Sequence, residues 1–441
     1  MSAPTATDCP SEVGPRLHTI GTRWKSDSLW VLAGSIADFL GQGGLFVVLS
    51  RLTSPEVVGH FAGALALSSP VFMLSSLQLR SLLLSDVARE YRLGDAAFVR
   101  SLTVVIASAI SLALAWILGA TPALFMALLG IVCFKSSDAL AELSVAQFQR
   151  EGLFKWATYQ QLARAAAILV TGTVAAWQFR SASCVALAAA TGSLLAASLI
   201  LYQVRRPGTP RRTSEAGLRP PELTLESLRP RYSPKVLKKL ILGGLPLGVV
   251  MMLFSLLSSV PRLYLEKTHG STELGLFAVC GFVSAGAMMV VNAACQPATQ
   301  RLALLYASGR IREYFRLLGR LMILAGLMGG VLVVGAALFG ELVLAKLFGP
   351  NYAGQSVVLL WQLASTAVAF VTACLGTAAT SAHRFAPQTI VMSIAVATCA
   401  IACACLVPIF GAEGAAASSF IASCVCCLGY YWILPARSAV A

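Results

Sequence analysis

Twelve times in 441 residues this chain runs apolar for about 20 residues, long enough to cross the hydrocarbon layer as a helix. The runs are 27–49, 57–83, 101–120, 122–146, 158–178, 183–204, 240–261, 274–298, 319–340, 355–380, 387–407 and 414–434. In lipid every backbone amide must be satisfied within the protein, so such runs must be helices. The expectation is an all-α polytopic membrane protein with twelve transmembrane helices. Composition agrees: 57% of residues are hydrophobic and 12% charged, too little polar surface for a soluble body of this size.

A net charge of +14 invites a nucleic-acid reading, but the placement of the charges speaks against it. With the N-terminus inside, 25 of the 33 Lys and Arg fall on the cytoplasmic side. Arg51, Arg180, Arg262, Lys267 and Lys346 fall on the outer side, and Arg80, Lys135 and Arg164 within spans. This bias orients a membrane chain, so both termini are expected in the cytoplasm and the basic excess on anionic headgroups. The first 25 residues are polar and the first apolar run is of spanning length, so no cleavable leader is expected.

The chain also repeats itself. Glu56, Gly59, His60, Phe61, Ala62 and Ser68 return as Glu273, Gly275, Leu276, Phe277, Ala278 and Ser284, the two glycines standing 216 positions apart. Between the copies, residues 205–239 hold Pro207, Pro210, Pro220, Pro221, Pro230 and Pro234 among many arginines, which excludes one continuous helix. The division expected is a cytoplasmic tail (1–26), an N-terminal six-helix lobe (27–204), a basic cytoplasmic linker (205–239), a C-terminal six-helix lobe (240–434) and a second tail (435–441). Each half starts on the cytoplasmic side, so the repeat is parallel and a cleft should divide the lobes. A duplicated membrane chain of this kind is expected to be a transporter with its site at that cleft.

A charge at mid-span costs about 2.5–3.5 kcal/mol on insertion scales and calls for a reason. Asp38 lies at the middle of the first span, followed by Gly41, Gly43 and Gly44, which permit a bend. It fits either a site for a coupling proton or sodium ion or a paired carboxylate holding two helices. Lys135, Asp138 and Glu142 share one helix face by their offsets of three and four. They read as a cavity wall facing an anionic headgroup, or as a self-neutralising Lys135–Asp138 pair. Arg80 and Arg164, near cytoplasmic span ends, either snorkel to the interface or, with Lys135 and Arg301, make the inner half of the cleft positive. The repeat sets Arg80 against Gln296 and Ser76 against Asn292, so the N-terminal half is the more cationic wall. A guanidinium suits phosphate because its planar fork donates two hydrogen bonds at once.

Other features carry packing rather than chemistry. Gly326 with Gly330, and the run 188–193, are expected to let helices approach closely. The clusters Cys399, Cys403, Cys405 and Cys424, Cys426, Cys427 read as small packing residues, with no Cys-x-x-Cys pair to suggest zinc. Trp30, Trp116, Trp156, Trp177 and Trp432 fall near span ends, as interface anchors do. No nucleophile elbow, nucleotide-binding glycine loop or acidic metal cluster is found, so no enzyme activity and no cofactor is expected.

In several phrases the chain resembles the polysaccharide transporters, including O-antigen flippases, of the multidrug/oligosaccharidyl-lipid/polysaccharide (MOP) exporter superfamily. They are Ser50-Arg51-Leu52-Thr53-Ser54-Pro55-Glu56, Pro261-Arg262-Leu263-Tyr264-Leu265-Glu266, Gln296-Pro297-Ala298-Thr299-Gln300-Arg301, Leu347-Phe348-Gly349-Pro350-Asn351-Tyr352 and Gly411-Ala412-Glu413-Gly414. Their order covers residues 27–434. The resemblance implies a MATE-like V-shaped bundle in the bacterial inner membrane that alternates access. It implies a flippase moving polyprenyl-pyrophosphate-linked oligosaccharide from the inner to the outer leaflet for surface polysaccharide biosynthesis, beside a polymerase and chain-length proteins. It also implies that Arg51 and Arg262, at matched outer hairpins, guide the headgroup or anchor at the interface, and that Arg301 belongs to the substrate path.

A cation-coupled multidrug exporter of the same superfamily shares this architecture and could use Asp38. The few carboxylates at membrane depth count against it, because cationic drugs favour acidic cavities. A membrane glycosyltransferase, ligase or polymerase needs a large outer loop for its catalytic groups, and the outer connections here are short.

Overall fold

The computed structural model describes residues 13–86, 91–205, 234–381 and 385–434. Among them there are eleven α-helices, one short 3-10 turn and no strand. The helices are α1 (Val13–Leu52), α2 (Pro55–Ser75), α3 (Leu79–Ser85), α4 (Leu93–Ile117), α5 (Pro122–Arg150), α6 (Phe154–Phe179), α7 (Ala182–Arg205), α8 (Pro234–Ala307), α9 (Ile311–Phe348), α10 (Ser356–Ser381) and α11 (Phe385–Ile433), with the 3-10 turn at Pro350–Gln355. Most of the expected linker, the last seven residues, and the side chains of Asn292 and Gln296 lie outside the described residues.

Ten helical stretches among the described residues are long and apolar enough to cross a membrane, which makes this a multi-pass membrane protein. Two of them, within α8 and α11, run for 54 and 48 residues. In each the backbone leaves helical geometry at one glycine: Gly270 (φ 82°) and Gly411 (φ 54°). Lacking a Cβ, glycine takes positive φ without the steric cost other residues meet. Both lie in gaps that the hydropathy pattern leaves between apolar runs.

Local chemistry starts the helices where the pattern requires. Pro55 and Pro122 sit in the first turn of α2 and α5, where a missing amide costs nothing. Thr121 caps α5, its Oγ1 accepting from the Leu124 amide at 3.3 Å. The outer faces are apolar: on α9, Ile323, Leu327, Val331, Val334 and Leu338 are all exposed. Trp116, Trp177 and Trp432 are likewise exposed at or near helix ends. A soluble monomer rarely presents so large an apolar surface, whereas lipid accepts it.

Inside, small side chains dominate. Ala186, Ala189 and Ala190 of α7 are buried, as are Cys399, Cys403 and Cys426 of α11. Helix α1 packs on α6, α6 on α7, and α7 on α5; α8 packs on α11 and α10, and α10 on α9 and α11. The strongest link between the two halves of the chain joins α2 to α8.

The structure departs from the sequence expectations in several places. Helix α1 begins at Val13, within the expected tail, and runs unbroken through Gly41, Gly43 and Gly44. Those glycines accommodate neighbours: a Cβ on Gly41 would meet Ala165, and one on Gly43 the ring of Phe282. Gly326 and Gly330 face open space, and Gly329, against Ala367, makes the close approach instead. The second span is not one helix. Leu77 and Gln78 adopt φ of 45° and 47°, splitting α2 from α3. Left-handed backbone at non-glycine residues is strained and persists only where the surroundings hold it. Here Leu77 is buried, and its carbonyl lies where a Cβ on Gly244 would sit. Finally, α4 begins at Leu93 rather than near 101, which brings Arg100 inside the helix.

Candidate functional site

Helix α5 sets the first part of the site. Its Lys135, Asp138 and Glu142 line one cavity of about 210 Å³. Asp38 and Gln42 of α1, Ser76 and Gln78 between α2 and α3, Arg80 of α3, Arg100 of α4, and Gln161 and Arg164 of α6 complete its polar wall. Four cations thus face three carboxylates. All these helices belong to the N-terminal half. The charged hollow therefore lies within that half, rather than in a cleft between lobes as the repeat suggested.

The charges are tied in a definite order. The Arg164 side chain is 3% exposed; it pairs with Asp138, lies 3.7 Å from Asp38 and donates from Nε to Ser193 Oγ at 3.1 Å. Asp38 also accepts from Gln161 Nε2 at 2.6 Å. Arg100 Nη2 meets Glu142 Oε2 at 3.0 Å, and its Nε reaches the Ala139 carbonyl at 3.4 Å. Arg80 Nη2 donates to Gln149 Oε1 at 3.1 Å, so it is turned inward rather than snorkelling. Both carboxylates on the Lys135 face, Asp138 one turn and Glu142 two turns beyond it, are thus engaged by arginines. The Lys135–Asp138 pair does not form, and the Lys135 ammonium has no ion pair within 4 Å among the described residues.

A second, larger cavity of about 610 Å³ lies where α1 faces α8, α10 and α11. Ser35 and Phe39 line it from α1; Ser258, Arg262 and Ser284 from α8; Gln362, Ser365 and Thr366 from α10; Ser419 and Ser423 from α11. No carboxylate lines it. Arg262, expected on an outer hairpin, is here instead, and its buried Nε has no hydrogen-bond partner among the described residues. A buried charge without a partner is costly, so this guanidinium is suited to an incoming anion. An apolar side pocket of about 250 Å³ adjoins it, lined by Phe254, Met288, Met392 and Tyr430.

The remaining candidates lie elsewhere. Arg51 donates from Nε to the Leu347 carbonyl at 2.9 Å and from Nη2 to the Lys346 carbonyl, satisfying the free C-terminal end of α9. Arg301 is exposed and lines neither cavity. Asp38, Arg80, Lys135 and Arg164 come together; Arg262 sits across α1; Arg51 and Arg301 join neither group.

Sequence reasoning missed Arg100 and Gln161. Arg100 directly precedes an apolar run and read as a loop cation; extending the α4 pattern back to Leu93 would have placed it in a span. Gln161 is three residues before Arg164, on the same helix face, a spacing that could have been used.

No protein-family model matches the chain. The chain is 27% identical over 198 residues to a capsular polysaccharide biosynthesis protein, CapF, of Staphylococcus aureus, a match spanning 44% of this chain and 49% of that relative. The chain thus spans about half the length of the curated relative it matches. Its fold is similar to that of an inward-facing MATE-family multidrug resistance transporter of the MOP superfamily: TM-score 0.66, 13% identity, 92% of this chain and 97% of that one. It is also similar to the lipid II flippase MurJ in an inward closed conformation, with TM-score 0.68, 12% identity, and 92% and 87% of the two chains covered. A MOP-superfamily transporter from Pyrococcus furiosus, described by a reversed polarity of its binding pocket, matches at TM-score 0.54 and 15% identity over 92% and 93%. At these identities the likeness is one of fold.

Proposed function

We propose that this protein is a flippase that carries polyprenyl-pyrophosphate-linked oligosaccharide from the inner to the outer leaflet of the cytoplasmic membrane by alternating access. The observation that carries this reading is Lys135, a cation without an ion-pair partner among the described residues, in a membrane-embedded cavity where four cations face three carboxylates. A pyrophosphate needs such compensation away from water, and fork-shaped donors serve it best. Sugars need hydroxyl and amide partners, which the serine-lined cavity around Arg262 offers without any competing carboxylate. The polysaccharide-biosynthesis relative and the lipid II flippase fold point the same way.

In this reading Gly270 and Gly411 are outer turns, giving twelve crossings in two six-helix halves, 27–204 and 240–434, with both termini and the linker in the cytoplasm. Arg164 holds Asp38 and Asp138 together. Asp38 takes part in coupling by gaining a proton or sodium ion, which releases the guanidinium toward the substrate. Arg80 and Arg100 shape the inner mouth, Arg262 the far wall, and Arg301 the approach. A polysaccharide polymerase and chain-length proteins would act on the product.

The side pocket favours a second reading, a cation-coupled multidrug exporter. Its Met288 and Met392 beside Phe254 and Tyr430 make an adaptable apolar surface of the kind promiscuous binders use. Deleting the gene in its native host and extracting the lipids separates the two. Lipid-linked oligosaccharide accumulating on the inner leaflet supports the flippase. Unchanged glycans with increased dye sensitivity overturn it in favour of the exporter.

A further inference from the structure

One face of α9 is charged where the helix begins and apolar beyond. Arg312, Arg316 and Arg320 recur every four residues and are all exposed. At 3.6 residues per turn they share a face with Ile323, Leu327, Val331, Val334 and Leu338, the exposed apolar stripe of the same helix. At 1.5 Å per residue the charged part spans about 12 Å and the apolar part about 23 Å. One leaflet offers about 15 Å of hydrocarbon, so the stripe can accompany an acyl chain along its whole length. Gly319, Gly326 and Gly330 lie on this face as well, and a Cβ at any of them would meet nothing within 4 Å. Beside the ridges of Ile323, Leu327 and Val331 they leave a shallow furrow.

A hollow of about 750 Å³ opens at the charged end, at the turn from α8 into α9. Among the described residues, Arg310, Arg312, Glu313 and Arg316 line it with charge, and Ile311 and Phe315 with apolar surface. Glu313 is engaged by Arg310, whose Nε and Nη2 donate to its Oε1 at 2.9 and 2.6 Å. Arg312, Arg316 and Arg320 have no ion pair among the described residues. Charge bias assigns this end to the cytoplasmic headgroup layer. Orientation alone is served by any cation in any arrangement; the first helix of the C-terminal half uses Lys235, Lys238 and Lys239. From 301 to 345 every cation is arginine, the side chain whose planar fork fits phosphate.

We propose that this face of α9 binds an anionic phospholipid of the inner leaflet, its phosphate held by Arg312, Arg316 and Arg320 and one acyl chain laid in the glycine furrow. Basic pockets at the cytoplasmic ends of membrane helices take such headgroups. The lipid is an attendant rather than cargo, because no residue of α9 lines the cavity of Lys135 or that of Arg262.

Binding of a fluorescent phosphatidylglycerol to the full-length protein in neutral detergent tests this. Removing one cation, in Arg316→Gln, is expected to weaken binding about fivefold, and Arg312→Gln/Arg316→Gln/Arg320→Gln about a hundredfold. Lys238→Gln makes the same change of charge at another exposed cytoplasmic position and should leave affinity unchanged. Replacing all three arginines by lysine keeps the charge that orients α9 but loses the fork, and should weaken binding about tenfold. That variant carries the test if the glutamine triple does not insert. Gly326→Leu, which fills the furrow without altering charge, should weaken binding several-fold. An equal loss in Lys238→Gln, or full affinity in the lysine triple or in Gly326→Leu, reduces the effect to general surface attraction and overturns the site. Unlabelled phosphatidylglycerol should displace the probe, and phosphatidylcholine should not. Displacement by inorganic phosphate at equal concentration would make this a simple anion site, and tighter displacement by a polyprenyl pyrophosphate would give the face to cargo; either overturns the proposal. Binding is read without transport, so its outcome stands apart from the flippase reading.

Discussion

Helix α1 separates two cavities made of different material. On one side, α1 and α3 to α6 bring four cations and three carboxylates into about 210 Å³. On the other, α8, α10 and α11 line about 610 Å³ with hydroxyls, one amide and a single arginine. The halves keep their repeat where backbones touch, at Gly59 and Gly275, and drop it where side chains face open space. Close packing tolerates few residue types, so the duplication persists there. Cavity walls are free to diverge, and here they diverge in charge: the small cavity sets four cations against three carboxylates, the large one a single arginine against none.

This contrast can be broken at several points. The largest effect is expected from Lys135→Ala, which should block flipping while leaving insertion and unfolding unchanged, because no ion pair is lost. Normal surface glycan at normal expression refutes it. Arg164→Ala should instead act on stability. It leaves Asp38 and Asp138 facing each other without their shared guanidinium, at a cost of about 3–5 kcal/mol. A lowered unfolding midpoint in detergent, partly restored by adding Asp138→Asn, is the expected signature; equal midpoints for all three proteins would disprove the shared-cation role.

Arg262→Gln tests the other cavity. It should weaken substrate affinity about tenfold without lowering stability, since losing a hydrogen bond to a charged group is worth about 1.5–3 kcal/mol. Transport at graded substrate concentration in proteoliposomes reads this as a raised KM, and an unchanged KM removes Arg262 from recognition. Asp38→Asn keeps an oxygen for Gln161 but loses the charge beside Arg164. Transport should slow several-fold and lose its dependence on pH or sodium; an unchanged rate with unchanged dependence excludes coupling through Asp38. The smallest effect belongs to Arg301→Ala, an exposed position, expected within about 0.5 kcal/mol of the parent in stability. A clear loss of transport there would move the substrate path to the α8 surface.

The apolar runs were readable because hydropathy is summed over consecutive residues, and breaks at Gly270 and Gly411 fall between them. The shared face of Lys135, Asp138 and Glu142 was readable for the same reason, as a property of one helix. The break at Leu77–Gln78 was not, since nothing local favours left-handed backbone at leucine or glutamine; Gly244 and the surrounding core hold it. Arg51 and Arg262 looked equivalent as hairpin arginines, yet one caps α9 and the other lines a cavity. Their flanking residues are alike in kind, and only the neighbouring helices differ.

The sequence by itself determined that the chain lives in a membrane, where its helices run, and which ionised side chains share a helix face. Each of these follows from spacing along a single helix. The tertiary structure alone decided which charges pair, which lysine is left over, and which half holds the charged hollow. Arg164 reaches Asp38 across 126 positions of chain, and no local period reports a distance between helices.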